Sequence, residues 1–271
     1  MIFMQIRFVQ AKSILNRSKL GGYTLNPYTG CPHGCVYCYN QHFIKIINPD
    51  EVWGDFLEIK INAPDILEKE ITGKYKGKKD RVFFSTITDP YNPFEKQHQL
   101  TKRCLEVLAK YKWPVDILTK SDLALRDLDL FKQFDKKIAV GFTITTINPQ
   151  FQMLLEPGAS LIEKRLAALK MLKKQGIITY AFIGPILPYF TNLKQIFEAL
   201  QDKVDYLLLD TLNTKGENWK GVEKLLKTHY PQLLKEYREK LFTNRPEYEQ
   251  ELEKEIKFLS QTFKIPTKIL F

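Results

Sequence analysis

Three cysteines stand close together near the start of this sequence of 271 residues. Cys31, Cys35 and Cys38 lie in the segment NPYTGCPHGCVYCYN, with three residues between the first two thiols and two between the last two. Thiolates are soft ligands that suit zinc or iron–sulfur clusters. Gly30 and Gly34 supply turn conformations that let the three sulfurs converge. The spacing therefore predicts one polynuclear metal centre in a single loop, residues 30–40, which we call the cluster loop.

Three cysteine ligands leave one iron of a cubane [4Fe-4S] cluster without a protein ligand. A small molecule with amine and carboxylate donors can chelate that iron. The alternative is a zinc site in which His33, His42 or Cys104 completes a tetrahedral set. Common zinc sites use a second pair of closely spaced ligands, and the sequence has no such pair. Cys104 shares a helical stripe with leucines and is predicted to lie in the core.

The composition fits one α/β domain, with 44% hydrophobic and 27% charged residues. No apolar run is long enough to span a membrane and the first residues do not read as a secretion signal, so we expect a soluble, cytoplasmic protein with reduced thiols. The formal net charge of +10 would attract nucleic acid. A lysine-rich solvated surface explains that charge equally well, and only residues 74–79 form a local basic cluster.

Short apolar runs alternate with helical patterns, which predicts parallel strands joined by helical crossovers. The predicted strands are residues 23–26, 82–87, 115–119, 138–144, 177–183 and 206–210. The predicted helices are residues 64–71, 100–110 and 161–175, with a further helix that is capped by Ser121 and runs towards Phe134.

This alternation predicts a barrel core over residues 1–210, and its six strands are enough for a partial barrel. Residues 219–263 have helical spacing, which predicts a helical C-terminal extension over residues 211–271, packed on the barrel. The cluster loop follows the first predicted strand. Loops at the carboxyl ends of barrel strands face the mouth where active sites form, so the metal centre is expected there.

These segments resemble a known family. CxxxCxxC with an aromatic residue before the last cysteine, here Tyr37, is the signature of radical S-adenosylmethionine enzymes. More narrowly, the sequence resembles the spore photoproduct lyase-like group, whose members are often labelled DNA repair photolyases. The matching segments, in the family's order, are NPYTGCPHGCVYCYN, TDPYNPFE at 88–95, LTKSDLALRDLDL at 118–130 and EPGASLIEKRLAALK at 156–170.

The resemblance implies a fold, two cofactors and a reaction. The fold is a partial (β/α)6 TIM-like barrel, and the cofactors are a [4Fe-4S] cluster and S-adenosyl-L-methionine. The implied reaction is reductive cleavage of S-adenosylmethionine to a 5'-deoxyadenosyl radical, which abstracts hydrogen from a substrate. An electron donor such as ferredoxin or flavodoxin is implied as a partner.

The resemblance also assigns residues to the cofactor by position. Tyr37 is expected beside the adenine, and Thr88 and Asp89 near the methionyl part. Lys120 resembles the lysine that pairs with the methionyl carboxylate, as an ammonium at a barrel mouth can. The fourth and fifth strands contribute the remaining expected cofactor positions, Thr143, Thr145, Ile183, Gly184 and Pro185. Threonines are also good strand formers, so a purely structural role for those two explains them equally well.

Tyr37 and Tyr39 match two tyrosines proposed in the lyase to relay a radical after the substrate bond breaks. The lyase also carries a further cysteine near the end of the second strand, which donates a hydrogen atom to the product radical. This sequence has no cysteine between Phe83 and Pro93, and Ile87 stands at about that position. An aliphatic side chain has no weak S–H bond to offer, so repair of the spore photoproduct itself is not expected.

Three hypotheses follow for the function. The first is a radical enzyme that acts on a macromolecule, with nucleic acid favoured by the basic charge and the family label. The second is a radical enzyme that acts on a peptide or a small metabolite, because a shared fold does not fix the substrate. The third is a protein without enzymatic activity that binds an iron–sulfur cluster or zinc through the same thiolates.

Overall fold

The computed structural model describes residues 4–19 and 21–271. Within them, strands β1 to β11 are Gln5–Val9, Leu15–Arg17, Tyr23–Leu25, Tyr28–Thr29, Phe56–Lys60, Val82–Phe84, Val115–Thr119, Ile138–Thr143, Ile178–Ile186, Tyr206–Thr211 and Thr267–Ile269. Helices α1 to α11 are Asn40–Ile47, Ala63–Thr72, Glu95–His98, Leu100–Lys110, Leu128–Phe131, Pro149–Leu155, Ile162–Lys174, Leu193–Leu200, Glu217–His229, Leu234–Arg238 and Arg245–Phe263. None of the helices in these residues is both long and apolar enough to span a lipid bilayer.

The main sheet contains all six predicted strands. Its order is β11-β10-β9-β8-β7-β6-β3-β2, and every neighbouring pair is parallel except β2 with β3. All six residues of the central strand β8 are buried, as expected for a parallel strand covered on both faces. The sheet order is open, which agrees with a partial barrel and confirms the predicted fold class.

The second predicted strand is shorter than its sequence suggests. β6 ends at Phe84, because Ser85 takes a left-handed backbone conformation with φ of 57°. Thr88 and Asp89 therefore lie in the loop beyond the strand rather than at its end.

A second, three-stranded sheet was not predicted. We call it the N-terminal sheet; it combines β1 with two strands, β4 and β5, that lie between the first two barrel strands in the chain. Its order is β1-β5-β4, with β1 parallel and β4 antiparallel to β5. Its strand β4 is only two residues long and leads directly into the cluster loop. The N-terminal sheet thus fixes the position at which that loop begins.

The helix predicted after Ser121 is broken into short pieces. Ser121 accepts a hydrogen bond from the amide of Leu123, as an N-cap does, but Asp122–Asp127 is a 3₁₀ helix. A single α-helical turn, α5, follows it, and a second 3₁₀ turn ends at Phe134. Helices α4 and α7 match the predicted ranges to within one residue at each end.

Residues beyond β10 are mainly helical and return to the main sheet. Helix α9 packs beside α1, and α11 packs on α8. The chain then forms β11, an unpredicted strand that adds to the edge of the sheet beside β10. The division at residue 210 into a core and an extension stays a prediction.

Candidate active site

The cluster loop folds back on itself so that its three thiols lie on one turn-rich segment. Gly34 donates from its backbone amide to the carbonyl of Cys31, and Cys38 does the same to Cys35, both at 3.2 Å. Gly30 and Gly34 have positive φ angles of 83° and 57°, which glycine adopts without strain. The two turns predicted from these glycines are therefore present.

Donor groups surround the thiols. The backbone amides of His33 and Asp89 point at the sulfur of Cys31, and the backbone and side-chain amides of Asn40 point at that of Cys38. Burial raises the pKa of the Cys31 and Cys35 thiols, but nearby Lys120 opposes the rise at Cys35. Amides directed at buried sulfurs, together with a cation, suit thiolates that bind a metal centre.

The three free thiols can serve separate corners of a cluster. All four cysteines are free thiols. In residues 4–19 and 21–271, no three Cys, His, Asp or Glu side chains converge tightly enough to hold one metal ion. The irons of a cubane occupy separate corners, so its three cysteines need not meet at one point. This geometry gives no support to zinc bound with His33, His42 or Cys104, and Cys104 is fully buried on α4, as predicted.

A backbone segment, residues 155–160, lies across the cluster loop and acts as a strap. The amide of Val36 donates to the carbonyl of Leu155, and the amide of Gly158 donates to the carbonyl of His33, both at 3.0 Å. A Cβ atom on Gly158 would lie 2.4 Å from the carbonyl oxygen of Pro32, so only glycine permits this approach. The segment EPGAS thus fixes the loop by main-chain contacts.

The strap contributes one member of a buried ion pair. Glu156 and Arg165 are both fully buried, with 2.5 Å between Oε2 and Nη2. The Tyr37 hydroxyl donates to the other oxygen of Glu156 and lies 3.2 Å from the Thr145 hydroxyl. Burial alone would raise the pKa of the Glu156 carboxyl, but Arg165, Lys120 and the Tyr37 hydroxyl outweigh it and hold that pKa below its usual value.

Asp89 organises the loop after β6. Its carboxylate accepts hydrogen bonds from the Thr119 hydroxyl at 2.6 Å and from the amides of Tyr91 and Lys120 at 2.9 and 2.8 Å. His33 Nδ1 lies 3.4 Å from the same carboxylate. Burial would raise the pKa of Asp89, but His33, Thr119 and the Lys120 amide lower it to about 2. Asp89 therefore joins the cluster loop to the end of β7, and its oxygens are occupied by protein donors.

Lys120 extends towards the centre of the site from the end of β7. Its Nζ lies 3.4 Å from the Thr143 hydroxyl and 5.6 Å from the centre of the Tyr37 ring. Desolvation would lower its pKa, but electrostatic interactions with Cys35, Glu156, Cys38 and Asp89 raise it above its usual value. Lys120 is therefore a cation, consistent with the role of an anion partner expected from the sequence.

The other predicted cofactor positions surround this centre. The Thr88 hydroxyl donates to the carbonyl of Gly30 at 2.5 Å, and the Thr145 hydroxyl donates to the carbonyl of Gly184 at 3.2 Å. Tyr39 differs from Tyr37, because it is 56% exposed and its hydroxyl donates to the carbonyl of Thr86. The structure thus places Tyr37 inside the site and Tyr39 at its rim.

Helix α9 presses on the opposite side of the cluster loop. A Cβ atom on Gly221 would lie 2.0 Å from the carbonyl oxygen of Val36. The buried Asn218 amide, oriented with its nitrogen towards the loop, donates to the carbonyls of Cys38 and Tyr39 at 3.2 and 3.3 Å. The loop is therefore clamped between the strap and α9.

Sequence reasoning missed several of these residues. The segment EPGAS contributes to the resemblance, but the resemblance gives neither Glu156 nor Gly158 a role. A charged residue before a Pro-Gly turn was the available signal for Glu156. Nothing in the local sequence around Asn218 or Gly221 indicated contact with a loop 180 residues earlier in the chain.

The family model of the radical SAM superfamily matches residues 25–202, from the first barrel strand to the end of α8. The chain belongs to this superfamily. An uncharacterised protein of Methanocaldococcus jannaschii is 35% identical over 232 residues, which cover 84% of this chain and 85% of that protein. The Radical SAM Nalpha-GlyT isomerase of Pseudomonas phage M6 is 24% identical over 80% of this chain and 45% of the phage protein.

Among solved structures, a spore photoproduct lyase mutant with bound AdoMet and dinucleoside spore photoproduct has the same fold. The TM-score is 0.72 at 18% identity, over 98% of this chain and 81% of the lyase. By its superfamily the chain is a radical SAM enzyme, and it has the fold of that lyase. Superfamily membership implies S-adenosylmethionine and an iron–sulfur cluster as cofactors, and it speaks against the hypothesis of a protein without enzymatic activity.

Proposed function

We propose that Cys31, Cys35 and Cys38 hold a [4Fe-4S] cluster with one open iron, and that S-adenosylmethionine binds beside Lys120. The observation that carries this proposal is the set of three free thiols in one loop, with amide donors directed at two of them and the cation Lys120 near Cys35 and Cys38. When bound, the two cofactors supply a 5'-deoxyadenosyl radical for hydrogen abstraction from a substrate. The protein's own residues bind, orient and shield them.

We infer that Lys120 pairs with the methionyl carboxylate, because the 3.4 Å hydrogen bond from its Nζ to the Thr143 hydroxyl is long and leaves the ammonium able to bind an anion. Tyr37 contributes a ring face, held in position through its hydroxyl by Glu156 and Thr145. Thr88 and Gly184 contribute backbone and hydroxyl groups near the loop. Asp89 orients the loop rather than touching the cofactor, because protein donors already occupy its oxygens.

Nucleic acid is the substrate class we propose. The net charge of +10 favours a polyanion, and the structurally similar lyase was solved with a dinucleoside spore photoproduct. The loop from Ser85 to Asp89 carries no cysteine, so we do not propose repair of the spore photoproduct itself. Residues 74–79, the local basic cluster, precede β6 and so lie at the amino end of the sheet, away from the cluster loop. Substrate contacts are therefore expected from other lysines.

Reconstitution under anaerobic conditions tests the cofactor proposal. With dithionite and S-adenosylmethionine, the protein should release 5'-deoxyadenosine, and Cys35→Ala should reduce that release to the level without enzyme. Cys104→Ala is the matched control, because it removes a buried thiol outside the loop and should leave iron content and product formation unchanged. One bound zinc per chain without cofactor cleavage would refute the proposal.

Binding of DNA and RNA at several salt concentrations tests the substrate class. Each phosphate contact contributes about 0.9 to the slope of log affinity against log salt. Lys194 is exposed at the start of α8, on the carboxyl side of β9, and we expect it to contact phosphate. Lys194→Ala should then reduce the magnitude of the slope by about 0.9, the contribution of one contact. Lys78→Ala, at the amino end of the sheet, should leave it unchanged. Absence of binding at low salt would exclude nucleic acid and favour a peptide or metabolite.

A further inference from the structure

Helix α1 carries apolar side chains on two faces. Ile44 and Asn40 are buried against the protein. Phe43, Ile46 and Ile47 are exposed, and their spacing of three and four residues places them on one outer face. Large side chains exposed singly are ordinary, whereas a contiguous stripe on one helix face marks an interaction surface.

This stripe begins at the cluster loop. Helix α1 starts two residues after Cys38, and its eight residues span about 12 Å at 1.5 Å per residue. The exposed ring of Tyr39 precedes the stripe, and exposed Val52 follows the helix. A protein that covers this stripe would therefore lie next to the metal centre without entering the barrel mouth.

We propose that the outer face of α1 is the docking surface for a small acidic electron-carrier protein. This inference rests on the proposed function, because it assumes the cluster. In the complex one electron leaves the carrier, whose own redox centre is oxidised by one electron, and enters the cluster, which is reduced by one electron. No bond forms or breaks at the interface, and no proton crosses it.

Three observations favour this occupant. The net charge of +10 attracts an acidic protein over a long range and speeds its association. The exposed Lys45 lies on the same helix as the stripe. The stripe is short, as in the small interfaces of transient electron-transfer complexes. Its aliphatic members have no hydrogen-bonding groups that could read bases, which disfavours nucleic acid at this face.

The test compares Ile46→Glu with Phe258→Glu. The two native side chains are equally exposed, at 65% and 66%, and Phe258 lies on α11, so both variants change the charge equally at different places. The probe is a ferredoxin of negative net charge. Ile46→Glu should weaken its binding to the protein about tenfold, the size of effect expected at a central interface residue. Phe258→Glu should leave that affinity unchanged.

Activity is measured with two reductants. Ferredoxin-driven release of 5'-deoxyadenosine at limiting ferredoxin should fall about tenfold in Ile46→Glu, and dithionite-driven release should match the native protein. The uncharged variant Ile46→Ser should weaken ferredoxin binding in the same direction, because apolar contact area is lost. If dithionite does not drive release of 5'-deoxyadenosine in the native protein, the proposed function is wrong. The ferredoxin affinities of the variants would still test the docking surface independently.

Other occupants give different results. A native dimer that Ile46→Glu converts to a monomer would assign the face to a second copy of this chain. Weaker DNA or RNA binding in Ile46→Glu but not in Phe258→Glu would assign it to substrate. Either result, or an unchanged ferredoxin affinity in Ile46→Glu, would overturn the inference.

Discussion

Gly221→Ala is expected to loosen the cluster loop, so that iron retention after reconstitution falls about tenfold or more. The new methyl carbon would lie 2.0 Å from the Val36 carbonyl oxygen, and backbone cannot move aside as a flexible side chain can. Overpacking of this kind costs about 1–3 kcal/mol, and each 1.4 kcal/mol is about a tenfold change in affinity. The measurement is iron and sulfide per chain after gel filtration.

A second readout separates this effect from general destabilisation. Alanine is better than glycine in a helix interior by about 1 kcal/mol, and Gly221 lies inside α9. That gain in helix stability offsets much of the free-energy cost of the clash. The urea concentration at the midpoint of unfolding of the metal-free protein should therefore change little, although iron is lost. Lys224→Ala, an exposed change on the same helix, is the matched control and should keep its iron. Full iron retention in Gly221→Ala would show that α9 does not clamp the loop.

The barrel strands were predictable because a buried parallel strand has a strong local pattern. Residues 138–144 are almost continuously apolar and residues 115–119 are mostly apolar, and the structure places β8 and β7 there to within one residue. The end of β6 was not predictable in this way. Thr86 and Ile87 have the β-branched character of a strand, but Ser85 before them takes a left-handed conformation that serine rarely adopts.

The N-terminal sheet escaped prediction because two of its three strands lack that pattern. β1 is an edge strand with mostly exposed residues, and β4 has only two residues. β11 has three partly exposed residues near the end of the chain, and it exists because β10 offers it a free edge. Such strands depend on a partner supplied by the tertiary structure rather than on their own sequence.

In the site, the cysteines were predictable because their spacing is itself the chemical signal. The partner of Tyr37 was not, because Glu156 lies 119 residues away and only the folded barrel brings the two together. The same holds for Arg165, which a helical wheel places on α7 without indicating that it is fully buried. Local patterns report burial and turns, but not which charged residues meet.

The buried pair leads to a second large effect. Glu156→Gln should destabilise the metal-free protein by about 3–5 kcal/mol, measured by urea unfolding, because it leaves the Arg165 guanidinium buried without a counter-charge. A glutamine can turn its amide oxygen towards Arg165 and its N–H groups towards the Tyr37 hydroxyl, but it carries no negative charge. The remaining contacts of Arg165, to the carbonyls of Ser160 and Thr143 at 2.8 and 3.0 Å, are neutral and cannot replace the charge.

The double variant Glu156→Gln with Arg165→Met shows whether the charges or the side-chain shapes of this pair determine the stability of the metal-free protein. Removing both charges leaves no unpaired ion, so the double variant should be more stable than the sum of the two single losses predicts. The exposed pair Lys257 and Glu253 on α11 is the matched control, and its disruption should cost less than about 1 kcal/mol. Additive losses at Glu156 and Arg165 would mean that the two charges do not stabilise each other. Tyr37 and the strap would then be positioned by packing alone.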